Sequence, residues 1–263
     1  MIYTIVNQKG GVGKTTTAVN LAAYLALAGR PTLLLDLDPQ ANATSGLGID
    51  KNSFGRGSPG HGRSAYDVLV EDYPVADAAM ATTIDHLSLL PSNLDLAGAE
   101  VELIPRVARE TVLKRALEPI RDAYEFILID TPPSLGILTL NGLTAADAII
   151  VPIQCEYYAL EGVSQLMQTI EIVQDCLNPR LEVALVILTM YDNRVRLSQQ
   201  VVAEVRSAFG DRVSPTVVPR NVRLSEAPSH GEPIALYDPR SRGAEAYRSL
   251  AEEVIRLGQT RSG

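Results

Sequence analysis

A glycine-rich segment that joins an apolar run to a helical pattern constrains the fold of this chain more than any other feature. Residues 7–17 read NQKGGVGKTTT, directly after the apolar run Ile2–Val6 and directly before the helix-like segment Ala18–Ala28. Glycines in such a loop permit backbone torsions that turn successive N–H groups toward one point. The following helix adds the positive end of its dipole. The segment therefore predicts a phosphate-binding loop. Its residues are Lys9, Gly10, Gly11, Val12, Gly13, Lys14, Thr15 and Thr16.

Three side chains of this loop are placed to contact a nucleotide. Lys14 can reach the β- and γ-phosphates, Thr15 can ligate Mg²⁺ through its hydroxyl, and Thr16 can donate to the α-phosphate. The loop departs from the common P-loop pattern, because Gln8 stands where the first glycine is expected and Lys9 adds a second lysine. It also lacks the third glycine of the dinucleotide fingerprint, which argues against a dinucleotide site.

Strand and helix patterns alternate almost throughout the chain, without a linker long enough to divide it. Continuous apolar strands separated by helices indicate parallel strands that are covered on both faces. The predicted fold is therefore α/β, with three αβα layers around a mostly parallel central sheet, in a single domain over residues 1–263. The predicted strands are Ile2–Val6, Thr32–Leu37, Leu87–Leu90, Phe126–Ile129, Ala148–Ile153, Val183–Thr189 and Thr216–Val218. The predicted helices cover 18–28, 96–104, 106–122, 137–146, 157–176, 198–209 and 242–258, and 54–64 is expected to be a flexible loop.

Two of the predicted strands end in aspartates. The run LLLDLD ends at Asp36 and Asp38, and the run FILID ends at Asp130. Open α/β sheets bind ligands outside the carboxyl ends of their strands. Asp130 would hold Mg²⁺ directly or through water, and Asp36 would support either the Mg²⁺ shell or the strand end. The predicted metal ligands are thus Thr15, Asp36 and Asp130.

Composition is typical of a globular protein and at first argues against binding nucleic acid. The 263 residues carry 23 basic and 31 acidic side chains, a net charge of −8, and DNA repels an acidic surface. Residues 194–242, however, contain eight arginines against five acidic residues. No apolar run approaches the length of a membrane span. The two cysteines, Cys155 and Cys176, and the lack of a visible secretory signal fit a reducing cytosol, and both cysteines are expected in the core.

The pattern K-G-G-x-G-K-T-T resembles the deviant Walker A motif of the ParA/MinD group of P-loop ATPases. Further blocks resemble the chromosomal ParA (Soj) branch of that group, so that the resemblance covers nearly the whole chain. They include DLDPQAN, DTPPSLGILTLNGL and VPRNVRLSEAPSHGEPIALYDPRSRGAEAY. The resemblance implies a P-loop NTPase fold and hydrolysis of ATP with Mg²⁺ as cofactor.

The resemblance also implies roles for single residues. Lys9 would reach across a homodimer to the partner's nucleotide, where a positive charge stabilises the transferred phosphoryl group. With Lys9 and Lys14, Asp38 would complete the catalytic set by orienting the attacking water. Pro219 and Asn221, in the block VPRN, would form part of the adenine pocket.

DNA binding follows from the same resemblance. Arg194 and Arg223 fall where chromosomal ParA proteins carry arginines that contact DNA, and arginine pairs well with phosphate. The ATP-bound dimer would bind double-stranded DNA without sequence preference. A ParB-type centromere-binding protein would stimulate hydrolysis and so release the dimer. The expected location is cytoplasmic and nucleoid-associated, without membrane binding. Arg56 and Arg63, in the loop 54–64, are weaker candidates for DNA contact.

Three alternatives stay open at this point. A MinD-type membrane switch needs a basic amphipathic C-terminal helix, but here the predicted polar face carries three acidic residues, among them Glu253, against two arginines. A redox ATPase would need both cysteines at a dimer interface. An inactive scaffold conflicts with the intact set of lysines and aspartates. DNA binding that depends on ATP would distinguish a partitioning ATPase from all three alternatives.

Overall fold

The computed structural model describes residues 1–55, 62–156 and 159–262, with the side chains of 159–162 and 260–262 left out. Within this part, one sheet of eight strands runs through the molecule, in the order β3-β4-β2-β5-β1-β6-β7-β8. The strands are Ile2–Ile5 (β1), Thr32–Asp36 (β2), Met80–Ala81 (β3), Leu87–Leu90 (β4), Phe126–Asp130 (β5), Ala148–Gln154 (β6), Glu182–Tyr191 (β7) and Val213–Pro219 (β8).

Neighbouring strands of the sheet are parallel, except that β3 pairs antiparallel with β4 at one edge. The central strands β1, β2 and β5 are buried along their whole length, which explains why their sequences are continuous apolar runs. The predicted mostly parallel α/β sheet is confirmed. The two-residue strand β3 was not predicted, since a strand this short carries no readable alternation.

Helices cover both faces of the sheet. They are Lys14–Leu27 (α1), Asn42–Gly46 (α2), Ala65–Val70 (α3), Val75–Ala78 (α4), Leu96–Glu102 (α5), Val112–Leu117 (α6), Ile137–Ala145 (α7), Ala159–Cys176 (α8), Arg196–Phe209 (α9), Val222–Glu226 (α10), Ile234–Tyr237 (α11) and Arg242–Ser262 (α12). One apolar core lies between the sheet and α3, α5, α6, α7, α8 and α9, and a second lies between the sheet and α1, α11 and α12. These cores make the three predicted layers.

The prediction of a single helix over 106–122 is wrong. The chain forms a 3₁₀ turn at Arg109–Thr111, then α6, then a second 3₁₀ segment at Glu118–Ala123. Ala108 lies in the left-handed region with φ of 54°, which interrupts a right-handed helix. The Asn141 side chain forms hydrogen bonds with two backbone groups of this stretch. It donates to the Arg109 carbonyl (2.9 Å) and accepts from the Leu113 N–H (3.0 Å).

The loop predicted over 54–64 is described only at its ends. Residues 56–61, and with them Arg56, lie outside the described residues. At the near end of the next helix, Ser64 and Asp67 form a reciprocal capping box that starts α3. Arg63 forms an ion pair with Asp67 (2.8 Å) and lies over the Tyr73 ring. Its guanidinium is therefore already paired within the chain.

The C-terminal helix α12 is longer than the predicted 242–258 and packs against α1 and β8. Its apolar stripe, which includes Tyr247, Leu250 and Val254, is buried in the second core. Glu253, predicted on the polar face, is instead buried, and its carboxylate accepts hydrogen bonds from Ser214 and Thr216. Of the helices that the structure describes, none combines the length and apolar composition that a membrane span requires.

Candidate nucleotide-binding site

The loop between β1 and α1 has the shape of a phosphate cradle. Gly11 and Gly13 lie in the left-handed region, with φ of 74° and 90°. A side chain at either position would be strained, which is why the sequence needs glycine there. The Thr189 hydroxyl, near the end of β7, donates to the Val12 carbonyl (2.8 Å) and holds the middle of the loop from the neighbouring part of the sheet.

The amino end of the loop is fixed by Asn7. Its side-chain amide donates to the Pro152 carbonyl in β6 (2.7 Å), and its side-chain oxygen accepts from the Lys9 N–H (3.0 Å). Among the described residues, the Lys9 ammonium makes no ion pair. The backbone at Lys9 is therefore anchored while its charged end is available to a ligand or a partner.

Lys14, the first residue of α1, is buried beneath the loop. Its ammonium donates to the Lys9 carbonyl (3.3 Å). Burial lowers the pKa of Lys14, and the carboxylates of Asp130 and Asp38 oppose this shift. The ammonium is thus a positive charge inside the protein, held close to the loop that would receive phosphate.

Asp130 ends β5 beside this lysine and is fully buried. Neither of its carboxylate oxygens has a hydrogen-bond partner of normal geometry within the described chain. Burial raises the pKa of Asp130 well above its usual range, the Asp36 carboxylate adds to the rise, and the Thr15 hydroxyl opposes it. An unpartnered buried carboxylate is costly, which points to a cation or donor that the site is built to receive.

Asp36 lies directly beside Asp130 in the register of β2 and β5, but both of its carboxylate oxygens have hydrogen-bond partners. One of its oxygens accepts from the Asp38 N–H (3.1 Å), and the other accepts from both the N–H and the hydroxyl of Thr44 (2.8 Å each). Burial raises the pKa of Asp36 to about 6, and the Thr44 hydroxyl opposes the rise. Of the two roles open in the sequence, these contacts support the one at the strand end.

Asp38 lies in the turn that Asp36 anchors. One of its oxygens accepts from the Gln40 N–H (2.9 Å), and its carbonyl accepts from the Ser92 hydroxyl (2.8 Å). The turn continues through Ala41, which adopts a left-handed conformation with φ of 54°. The Asp38 carboxylate is nearly buried and lies within electrostatic reach of Lys14 and Asp130.

A cavity of about 500 Å³ continues from the phosphate loop toward β8. Gly13 and Thr16 line it at the loop end, and Pro219, Asn221 and Tyr247 line it farther away. The structure thus places the two predicted adenine-pocket residues in one cavity with the loop. Tyr247 of α12 was not predicted to line this cavity, and its hydroxyl lies 3.2 Å from the Thr17 hydroxyl.

The two arginines predicted to contact DNA are exposed on the same edge of the sheet. Arg194, with 85% of its side chain exposed, forms a bidentate pair with Asp192 (2.9 and 2.7 Å). This pair lowers the pKa of Asp192 to about 2. Arg223 pairs with Glu226 (2.9 Å) and Asp238 (3.5 Å). Arg194 also lines a concavity of about 700 Å³ together with Arg220 and Arg242. A DNA phosphate at either position would therefore compete with an internal carboxylate for the guanidinium.

Sequence reasoning missed the residues that hold the site together. Each makes a buried hydrogen bond through its hydroxyl: Thr189 to the Val12 carbonyl of the phosphate loop, Ser92 to the Asp38 carbonyl, and Thr44 to the Asp36 carboxylate. Ser92 and Thr189 lie in blocks that resemble the ParA family, LPSNLDLAGAEVEL and TMYDNR, but the resemblance gives neither residue a role. Only their position in space shows what these three polar residues contact. The placement of both cysteines in the core was half wrong: Cys155 is buried, but Cys176 is exposed at the end of α8.

Comparison with known proteins agrees with this geometry. A family model described as an AAA domain matches residues 1–183. The chain is 56% identical to the sporulation initiation inhibitor protein Soj of Bacillus subtilis, covering 98% of this chain and 99% of that protein. It is 51% identical to the chromosome-partitioning ATPase Soj of Treponema pallidum, covering 95% of each.

A solved structure is also similar over nearly the whole chain. It is the crystal structure of cobyrinic acid a,c-diamide synthase from Mycobacterium smegmatis with bound ADP and magnesium, 40% identical with a TM-score of 0.83, covering 97% of this chain and 94% of that one. A phosphate loop after the first strand, with aspartates at the ends of neighbouring parallel strands, defines the class of P-loop ATPases. Within that class, the chain belongs to the Soj/ParA family of chromosome-partitioning ATPases.

Proposed function

We propose that this chain is an ATP-driven switch for DNA partitioning, whose ATP-bound dimer binds DNA and leaves it after hydrolysis. The observation that carries the proposal is the convergence of the phosphate loop, Lys14, Asp38 and Asp130 at the carboxyl ends of β1, β2 and β5. This edge combines a positive cradle for phosphates with carboxylates that can serve a metal ion and a water molecule.

The donor set fits Mg²⁺. The Asp130 oxygens lack partners among the described residues, and the Thr15 hydroxyl lies beside them. No three His, Cys, Asp or Glu side chains of the described part converge on one metal position. This is the usual situation for Mg²⁺, which takes one or two protein ligands and completes its shell with phosphate oxygens and water. The ion would supply positive charge to the β- and γ-phosphates of bound ATP.

Hydrolysis would need only positioned groups of this chain. The Lys14 ammonium would bind the β- and γ-phosphates, and the backbone N–H groups of the loop would donate hydrogen bonds to them. The Asp38 carboxylate would orient the attacking water. Asp36, through its bonds to Asp38 and Thr44, would keep the turn that carries Asp38 in place.

Lys9 and the exposed arginines extend the proposal to two copies of the chain and to DNA. Lys9 would contribute its free ammonium to the nucleotide bound by the partner copy. Arg194 and Arg223 would exchange their internal carboxylates for DNA phosphates. Two copies double this surface, which makes binding depend on dimerisation in a chain of net charge −8. A ParB-type protein would stimulate hydrolysis.

The membrane alternative is less well supported. Membrane binding by the C-terminal helix would need an apolar face that is free to enter a bilayer. The apolar face of α12 instead packs against α1 and β8, with Tyr247, Leu250 and Val254 buried. The redox alternative is also weaker, since Cys155 is buried and Cys176 is exposed at the far end of α8.

The experiment that tests the proposal is DNA binding at moderate salt with no nucleotide, with ADP, and with a slowly hydrolysed ATP analogue. Binding is expected only with the analogue, and it should weaken steeply as salt rises. Lys14→Ala should remove the response because it removes nucleotide binding. Equal DNA binding in all three nucleotide states would refute the proposal, and nucleotide-dependent sedimentation with anionic liposomes would favour the membrane alternative.

A further inference from the structure

Four large apolar side chains are exposed within one short stretch of the chain. Leu94, Val101, Ile104 and Val107 are 78%, 68%, 57% and 91% exposed. We call this stretch the 94–107 ridge. The other large apolar residues that are exposed in the described part are far apart along the chain: Leu27, Met80, Ile172, Val195, Val222 and Leu236. Exposed apolar residues that occur singly are normal, whereas a contiguous group marks an interaction site.

Three of the four ridge residues lie on one face of a helical stretch that includes α5, and Val107 follows just after this stretch. Helical turns continue beyond both ends of α5, since the Ala97 N–H donates to the Leu94 carbonyl and the Ile104 N–H to the Val101 carbonyl (3.1 Å each). Leu94, Val101 and Ile104 follow each other at spacings of seven and three residues, which places them on one face. The opposite face packs into the first core. Its members are Leu96, Ala99 and Leu103. A helix that is apolar on both faces is normally covered on both.

The charges beside the ridge are acidic and unneutralised. Glu100 and Glu102 lie on the same stretch, and within the described chain neither pairs with a cation, although Glu102 accepts a hydrogen bond from Tyr66. The two nearby arginines are already paired, Arg106 with Asp72 (3.0 Å) and Arg109 with Glu110 (3.0 Å). An apolar surface beside carboxylates that no cation neutralises is complementary to a basic amphipathic segment. In a symmetric contact, a second copy of this chain would present the same carboxylates and repel them.

The ridge is linked directly to the turn that carries Asp38. Ser92, two residues before Leu94, donates its hydroxyl to the Asp38 carbonyl (2.8 Å) and its N–H to the Thr44 hydroxyl (2.9 Å). On the other side, Glu100 approaches Gly136 so closely that a Cβ there would lie 2.7 Å from its carboxylate. A displacement of α5 would therefore displace both the turn at Asp38 and the loop that follows β5.

We propose that the 94–107 ridge is the docking surface for a basic amphipathic segment of the protein that stimulates hydrolysis. This inference rests on the proposed function, because it names where that partner would act. Apolar side chains of the segment would cover Val101, Ile104 and Val107, and its lysines or arginines would pair with Glu100 and Glu102. Docking would shift Ser92 and, through it, the Asp38 carbonyl.

Two measurements on the full chain test the docking surface, with the purified ParB-type protein of the same organism as the probe. In the first, a photo-crosslinking amino acid replaces Val107, with the same replacement at the exposed Ile172 of α8 as the matched control. We expect a crosslink to the ParB-type protein from position 107 only. Glu100→Lys with Glu102→Lys should weaken that crosslink. A crosslink to a second copy of this chain, or none at position 107, would overturn the proposal.

The second measurement is ATP turnover as a function of the concentration of the ParB-type protein. Val101→Ser with Ile104→Ser should raise the concentration that gives half-maximal stimulation by at least tenfold, with basal turnover unchanged. Ile172→Ser should behave like the wild type. Stimulation of the ridge variant at wild-type concentrations would refute the ridge as the docking surface. If even the wild type is not stimulated, the proposed function fails on that point, while the crosslink still decides whether the ridge is a docking surface.

Discussion

Three neighbouring aspartates of the site differ in their hydrogen-bond partners. Asp36 is saturated by backbone and hydroxyl donors, Asp130 has unpartnered oxygens, and Asp38 shares one oxygen with a backbone N–H. The same residue type therefore serves as an anchor, a prospective metal ligand and a prospective water-positioning group. These differences come from contacts and not from intrinsic chemistry.

Asp38→Ala should slow ATP hydrolysis by about 100-fold or more, the scale of losing a group that positions or activates the attacking water. Nucleotide binding should persist, because the loop and Lys14 are untouched. The measurement is single-turnover hydrolysis beside a nucleotide-binding assay. Asp85→Ala, at an exposed position before β4, is the matched control. Wild-type hydrolysis by Asp38→Ala would show that another group positions the water.

The two cysteines should differ strongly in reactivity. Burial raises the pKa of the Cys155 thiol to about 12, so at pH 8 about one molecule in ten thousand carries the thiolate there. Cys176 is exposed. A thiol reagent at pH 8 should label one cysteine quickly and the second only after denaturation. Cys176→Ser should abolish the fast phase, and fast labelling that survives in this variant would contradict the burial of Cys155.

At the element scale, the turn after β2 is held to the loop after β4 by a chain of buried hydrogen bonds. The Thr44 hydroxyl donates to Asp36 and accepts from the Ser92 N–H, and the Ser92 hydroxyl donates to the Asp38 carbonyl. Thr44 and Ser92 are fully buried. The two loops are therefore joined directly by hydrogen bonds, and neither hydroxyl can be lost without leaving a buried polar group unpaired.

Thr44→Val should lower the free energy of unfolding by about 2–3 kcal/mol, since it removes a hydrogen bond to a buried carboxylate and leaves the Ser92 N–H without its acceptor. The side-chain volume hardly changes, so packing should not contribute. Urea unfolding followed by circular dichroism measures the change. Thr169→Val, at a half-buried position of α8 whose hydroxyl donates to the Gln165 carbonyl, should cost less than about 0.5 kcal/mol. A similar loss in both variants would argue against the network.

The arginine-lined edge after β7 and β8 should respond to its internal carboxylates. Arg194→Ala should weaken DNA binding by the ATP-bound form and reduce the slope of log affinity against log salt by about one. Asp192→Asn should strengthen binding, because Arg194 then loses its intramolecular competitor. Arg212→Ala, at the opposite end of β8, is the control. Unchanged binding in Arg194→Ala would remove this arginine from the proposed DNA surface.

At the scale of the whole molecule, the carboxyl edge of the sheet gathers every element of the proposed switch. The phosphate loop, the turn at Asp38, the loop after β5 and the arginines near β7 and β8 all follow carboxyl ends of parallel strands. A second copy bound at this edge would therefore meet the nucleotide and bring two arginine surfaces together. Dimerisation, nucleotide state and DNA affinity would be coupled without a separate regulatory domain.

Lys9→Ala should leave nucleotide binding by the monomer intact but prevent dimerisation in the presence of a slowly hydrolysed ATP analogue. The reason is that the Lys9 ammonium, unpaired within the described monomer, would be the charge supplied to the partner's nucleotide. Analytical ultracentrifugation separates monomer from dimer. Lys114→Ala, which alters a lysine on α6, should dimerise normally. A dimer of wild-type affinity formed by Lys9→Ala would exclude the proposed role.

The three-layer sheet and the phosphate loop could be predicted from the sequence, because both follow from local patterns of residues. Strands buried on two faces require continuous apolar runs, and the left-handed torsions at Gly11 and Gly13 require glycine. The ends of the predicted parallel strands also place Asp36, Asp38 and Asp130 at one edge of the sheet. The family resemblance added the roles that spacing alone does not carry.

Contacts between distant segments become visible only in the folded chain. Thr44 donates to the Asp36 carboxylate, Ser214 donates to Glu253 on a face that looked polar, and Asn141 bonds the backbone where the predicted helix over 106–122 is interrupted. The exposure of the 94–107 ridge is likewise invisible in a sequence where apolar residues predict a core. The physical reason is that a hydrogen-bond partner or a covering layer is supplied by the fold, and one-dimensional periodicity records only which residues are apolar.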